Sequence, residues 1–292
     1  MEGIPRRVQT LSTTSTPRRG TGEVESAFVD GASAVVAVAA KSPLKLLVSR
    51  ERGPCARVHA ATFGGGLVAG DEVQLDVRVG PRSALSFGTS APSKVYRCDD
   101  GRESTQALRV AVGEGGLLAI VPGALTCYRG ARYRQRTDVR LDRGGSLLLV
   151  DVLTSGRSAR GERWVFDRYD ARTRLHCEGA LVLHEALRLH AGAASEPGAV
   201  SVAERMGGMN ALGFAVLAGP RLATAAQQVY AHIAELPARR GEPVRLAASA
   251  LPFGVVVRGA AIEPEALTNA LRALLAPALE VVAGGGEWHD PW

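Results

Sequence analysis

Asp71, Asp151 and Glu162 are carboxylates that stand apart from one another and sit among hydroxyls and cations. Asp71 closes a glycine-rich stretch running from Gly64 to Gly70. Thr89, Ser93 and Lys94 share one polar segment, and Arg157, Arg160 and Glu162 share another that begins shortly after Asp151. Single carboxylates and hydroxyls suit weak metal or water contacts, and carboxylates also pair with arginine across interfaces. Bond-breaking chemistry asks for more. The chain has no Gly-x-Ser-x-Gly elbow, and its six histidines lack the close spacing of a zinc site. His184-Glu185 would need a second histidine at 188 to make a metalloprotease motif, and that position is Arg188. His59 reads as a partly buried strand residue.

The glycine stretch invites comparison with a phosphate cradle, but it runs into Glu72-Val73-Gln74-Leu75-Asp76-Val77-Arg78-Val79, whose apolar residues alternate as in a half-buried strand, and no Gly-Lys-Ser/Thr occurs. It is therefore a tight corner feeding a sheet. Gly65, Gly66 and Gly70 supply positive φ and close approach.

The elements that must position these groups show a repeat. Val77 to Leu85, Val110 to Leu118 and Val139 to Leu147 each read as a strand end, a glycine- or proline-bearing turn and a returning strand. Units of this size bury an apolar face only by stacking, so the sequence predicts a mainly β fold of stacked, β-helix-like antiparallel or mixed sheet layers. Stacking in register would bring Thr89, Ser93, Lys94, Asp151, Arg157, Arg160 and Glu162 onto one surface or channel. About two helices are expected in the C-terminal half, over Arg221 to Leu236 and Pro264 to Leu275, with Pro277 just beyond the second. The segment Ala180 to Leu189 fits strand or helix, and Ala191 to Ala199 reads as a loop. Residues 1–22 read as a disordered basic tail, 23–281 as a single β domain and 282–292 as a flexible C-terminal tail.

The 292 residues carry a net charge of +6, and only Lys41, Lys45 and Lys94 are lysines. Arg132, Arg134 and Arg136 fall on one face of a strand, facing either solvent or an acidic partner. The four cysteines form no Cys-x-x-Cys pair and the N-terminus has no secretory h-region, which together favour a reducing, cytoplasmic setting.

Taken in order, Gly64 to Asp71, Thr89, Ser93-Lys94-Val95-Tyr96-Arg97, Gly130-Ala131-Arg132, Gly156-Arg157 and Arg160-Gly161-Glu162 resemble the motifs of the urease accessory protein UreD family, called UreH in some organisms. The likeness continues through Gly179 to Leu189, Met206-Gly207-Gly208 and the Leu267 to Leu279 helix. It implies a non-enzymatic chaperone that docks on apo-urease with UreF and the GTPase UreG. It also implies a passage through which nickel(II) moves in transit, with no tightly bound cofactor. On this reading Asp71, Thr89, Asp151 and Glu162 line the passage. Gly65, Gly66, Gly70, Ser93, Lys94, Tyr96, Arg132, Gly156, Arg157 and Arg160 organise it or form an interface. Gly123-Ala124, Asp151 and Gly88 depart from the Gln-Glu, Glu and Thr that many members carry. The alternative reading is an arginine-rich, non-enzymatic binding module for an acidic macromolecule.

Overall fold

The computed structural model describes residues 19–49, 53–62, 65–191, 200–237 and 241–285. Its framework follows from the repeat. β5 (Glu72–Val79), β8 (Ser104–Val112), β11 (Arg132–Leu141) and β13 (Arg168–Cys177) lie parallel in one sheet, here sheet A. β6 (Ala84–Thr89), β9 (Leu117–Val121) and β12 (Ser146–Thr154) lie parallel in a second, sheet B. The pairing keeps the repeat in register. Val79 and Leu141 both pair with Val112, and Leu85 and Leu147 both pair with Leu118.

The turns stack as well as the strands. Gly113 N–H donates to Val79 O at 2.8 Å, Asp142 N–H to Val112 O at 2.9 Å, and Ser146 N–H to Gly116 O at 2.8 Å. A Cβ at Gly116 would stand 3.0 Å from Gly113 O and 3.2 Å from Gly80 O. Glycine is required there because one turn lies on the next.

Antiparallel strands finish each sheet. Sheet A gains β14 (Ala180–His190) at one edge, and at the other β1 (Arg19–Val29), which runs parallel to β5, followed by β2 (Ala32–Ala40). Sheet B gains β4 (Ala56–Thr62), which runs parallel to β6, and then β3 (Leu44–Val48) on one side, with β15 (Ala211–Ala218), β17 (Gly254–Ala261) and β16 (Val244–Leu251) on the other. Two short strands, β7 (Ser93–Val95) and β10 (Leu125–Cys127), pair beside β12.

Sheet B is covered on both faces, which is why β12 reads Leu147-Leu148-Leu149-Val150 without alternation. Leu147 and Leu149 join Val77, Val110, Val139 and Leu175 in the core between the sheets. Leu148 and Val150 join Leu217, Val257, Leu267, Leu271 and Leu275 in a second core beneath α2 (Ala223–Glu235) and α3 (Pro264–Ala283). A one-turn helix, α1 (Val202–Arg205), carries a capping box between Ser201 and Glu204. By length and composition α3 is apolar enough to cross a bilayer, but its apolar stripe is buried on sheet B.

Three expected boundaries move. β1 starts at Arg19, inside the expected 1–22 tail, because Gly20, Gly22, Val24 and Ser26 form its inward face; Gly22 lies against the side chains of Leu44 and Leu75. Small residues gave that face no hydrophobic signal. α3 passes through Pro277 and ends at Ala283, so Val282 and Ala283 are helical and buried rather than tail. Burial of Ala278, Leu279 and Val282 outweighs the one backbone hydrogen bond that proline removes. Ala180 to Leu189 is strand. The expected loop over 192–199, and the tails over 1–18 and 286–292, lie outside the described residues.

Candidate functional site

Inward-facing positions divide the space between the sheets into two zones. Towards the stacked turns the layer is Val110, Val112, Val139, Leu141, Leu147 and Leu175. Towards the opposite, open end the same strands present Gln106, Tyr133, Gln135, Thr137, Asp151 and Thr173, because each strand's period-2 face changes from apolar to polar along its length.

Two cavities occupy the polar zone. The first, about 290 Å³, is lined by Gly65, Thr89, Ser93, Lys94, Gln106, Tyr133, Gln135, Thr137 and Asp151 among others. Ser90, Ala91, Pro92 and Lys94 are exposed and mark its mouth. The second, about 180 Å³, is lined by Asp151, Tyr169, Thr173, Glu185, Phe214 and Arg258 with neighbouring apolar groups. Asp151 borders both.

A short polar chain holds Asp151. Gln135 Nε2 donates to Asp151 Oδ2 at 2.6 Å, and the Tyr133 hydroxyl lies 3.1 Å from Gln106 Oε1 and 3.2 Å from Gln135 Oε1. Burial between the sheets pushes the Asp151 carboxyl up to about 6, and the Gln135 hydrogen bond offsets only part of that rise. Burial likewise raises the Tyr133 and Tyr169 phenols well above their ordinary value. Both tyrosines are therefore neutral, and the carboxylate is the one group here that changes charge near neutrality. Thr89 Oγ1 accepts from Gly123 N–H at 2.8 Å, which fixes the loop that follows β9.

The other expected passage residues are used differently. Asp71 is fully buried, and its Oδ2 accepts from Val68 N–H at 3.1 Å while its carbonyl accepts from Thr105 N–H, so it braces the glycine corner against β8. That corner is bonded to β7 through Leu67 N–H to Lys94 O and Tyr96 N–H to Leu67 O, both 2.8 Å. Gly66 packs so closely that an added Cβ would stand 2.5 Å from Lys94 O. Gly65 and Gly70 take positive φ, and Gly64 is outside the described residues.

Glu162 is buried in a separate loop cluster. It accepts from Arg157, whose Nε is 2.9 Å away, and the Arg157 guanidinium lies 4.2 Å over the Tyr128 ring, which meets Tyr96 edge-on. The Arg157 hydrogen bond holds the Glu162 carboxyl below its usual range. Gly156 has φ of 136° and backs onto the Glu162 backbone, while Arg160 is exposed on a single 3-10 turn. The fold thus gathers Thr89, Ser93, Lys94 and Asp151 around one cavity. Asp71 and Glu162 brace the corner and the loop beside it.

The arginine strip on β11 is internally paired. Arg134 meets Glu103 at 2.7 Å, Arg136 meets the buried Asp170 at 3.2 Å, and Arg132 Nη1 donates to Gly101 O at 3.3 Å. Gln135, Tyr133 and Glu185 are among the cavity residues that sequence reasoning missed. The signal for the first two was a polar series on the inward face of β11, opposite the arginines. Among the described residues no group of three or more His, Cys, Asp or Glu is placed to hold a metal ion, and the four cysteines are all unpaired with one another.

The family profile described as UreD urease accessory protein matches residues 18–286, which takes in both sheets and all three helices. The chain belongs to the UreD family. The urease accessory protein UreD of Anaeromyxobacter sp. (strain Fw109-5) is 43% identical over 267 residues, covering 91% of this chain and 88% of its own. That of Sorangium cellulosum (strain So ce56) is 43% identical over 259 residues, covering 89% and 80%. Urease accessory protein D of Oryza sativa subsp. japonica is 31% identical over 296 residues, covering 92% and 94%. UreD membership assigns the chain to urease maturation in an accessory role.

Proposed function

We propose that the chain serves urease maturation as a non-catalytic scaffold that docks on apo-urease together with UreF and the GTPase UreG, and that nickel(II) moves through the interior cavities on its way to the enzyme. The observation that carries this reading is Asp151, a single carboxylate bordering both cavities between the sheets. Around it stand neutral oxygens: the Thr89, Thr137 and Thr173 hydroxyls and the Gln106 and Gln135 amides. Nickel(II) accepts oxygen ligands, and one carboxylate among neutral oxygens gives a weak stopping point. Weakness suits transit, since a complete ligand cage would retain the ion.

The test is activation of apo-urease by nickel in a reconstituted mixture with UreF and UreG, comparing the native chain with Asp151→Leu. Leucine removes the charge and fills the junction with apolar atoms. The expected result is loss of activation with the chain still co-eluting with its partners. Normal activation by Asp151→Leu would overturn the reading, as would a tight tetrahedral nickel complex of the isolated chain.

A further inference from the structure

Strand pairing continues the polar zone outward from Asp151 in two facing rows. On sheet B, Asp151 pairs with Phe214 and Phe214 with Arg258. On sheet A, Thr137 pairs with Thr173 and Thr173 with Glu185. Adjacent strands are about 4.8 Å apart, so each row covers about 10 Å from its inner to its outer member. The rows face each other across the gap, and their outer members meet. Arg258 Nε donates to Glu185 Oε1 at 3.3 Å, and Nη2 bonds the other carboxylate oxygen. Among the described residues this is the ion pair that joins the two sheets at the rim of the second cavity.

We propose that Glu185 and Arg258 form a cation-exchange latch at the outer end of the passage; this rests on the transit reading above. In the closed state the Arg258 guanidinium occupies Glu185 and bridges the sheets. A divalent cation arriving from Asp151 competes for the Glu185 carboxylate, and Arg258, whose side chain is 48% exposed, swings into solvent. The exchange substitutes one positive group for another at the same carboxylate, so no bare charge is left at the rim. Glu185 is thereby the last carboxylate an outgoing ion meets. The Phe214 ring between Asp151 and Arg258 supplies no ligand atom that would hold the ion midway.

The latch can be read without urease. Thr173→Cys places a thiol in the second cavity, between Asp151 and the latch, and its reaction with 2-aminoethyl methanethiosulfonate is followed by peptide mass spectrometry, so the native cysteines do not interfere. An exposed ion pair shifts a closed-to-open balance by a factor of up to about 5. Arg258→Ala in this background is expected to speed labelling at 173 by about that factor. Raising sodium chloride from about 0.1 M to about 0.5 M should speed labelling of the parent in the same direction. The exchanged pair Glu185→Arg with Arg258→Glu should restore the slow rate. Equal labelling rates in the parent and Arg258→Ala would overturn the latch, even where Asp151→Leu abolishes urease activation and transit stands. Fast labelling of Arg258→Ala alongside normal activation by Asp151→Leu would show a real closure and overturn its role in cation transit.

Discussion

Replacing Asp151 by asparagine should make the protein more stable and less useful. Asparagine keeps the shape and an acceptor for Gln135 Nε2, but cannot ionise. The carboxyl is raised from 3.8 to about 6, a shift of about 2 units, equivalent to about 3 kcal/mol between its protonated and ionised forms. The sign follows from proton counting. Between about pH 4 and pH 6 the folded chain holds this proton more tightly than the unfolded chain, so stability falls as pH rises through that window and stays lowered above it. Water in the flanking cavities screens part of the effect, so Asp151→Asn should gain about 1–3 kcal/mol at pH 7.5. For a chain of this size that is a melting point higher by about 2–5 °C. Thermal melts of both proteins from pH 4 to pH 8 provide the assay. The two curves should converge at about pH 4 and separate through pH 6, while Asp151→Asn activates urease poorly. A pH-independent difference, or a less stable variant at pH 7.5, would refute the argument that an ionised Asp151 is held in the interior at a cost.

Gly66→Ala should lower stability by about 1–3 kcal/mol, because the new Cβ meets Lys94 O at 2.5 Å and the Tyr96 ring at 2.8 Å; denaturant unfolding would measure it. Arg157→Ala should lower the melting point at pH 7 by leaving the buried Glu162 without its guanidinium. Glu162 is depressed below 4.5, so the stability it contributes is present above that value and lost as pH falls through its lower folded value. The Arg157→Ala penalty should therefore shrink in acid, and melts at pH 7 and at about pH 3 would show whether it does.

The register of the stack was legible because its turns repeat. Gly80, Gly113 and Asp142 begin equivalent turns, and the residues flanking them pair as their alignment requires. Asp151 was legible as a carboxylate standing just before the polar segment of Arg157 to Glu162, and the family resemblance singled it out. Its partner Gln135 was hidden by company: Arg134 and Arg136 dominate that stretch, and only the alternate face of β11 shows a polar series pointing inward. Asp71 and Glu162 looked like cavity residues from motif order, yet each meets a local need, a corner and an arginine, that sequence spacing does not reveal. Glu185 and Arg258 stand 73 positions apart on strands belonging to different sheets, and nothing local couples them. Pro277 misled because proline commonly ends helices, whereas here the apolar stripe beyond it is buried.

The stacked turns also set where this architecture tolerates change in length. Each turn shares backbone hydrogen bonds with its neighbour, so one residue inserted between Gly113 and Gly116 would break the bonds that this turn makes to Val79, Arg143 and Ser146. The opposite end is coupled by other means, through the pairing of β7 with β10 and bonds such as Ser93 N–H to Ala124 O and Tyr128 N–H to Val95 O. One end of the scaffold is thus locked to a fixed count by its glycine turns, and the other is tied by short strands that leave the cavity mouth at Ser90 to Pro92 exposed.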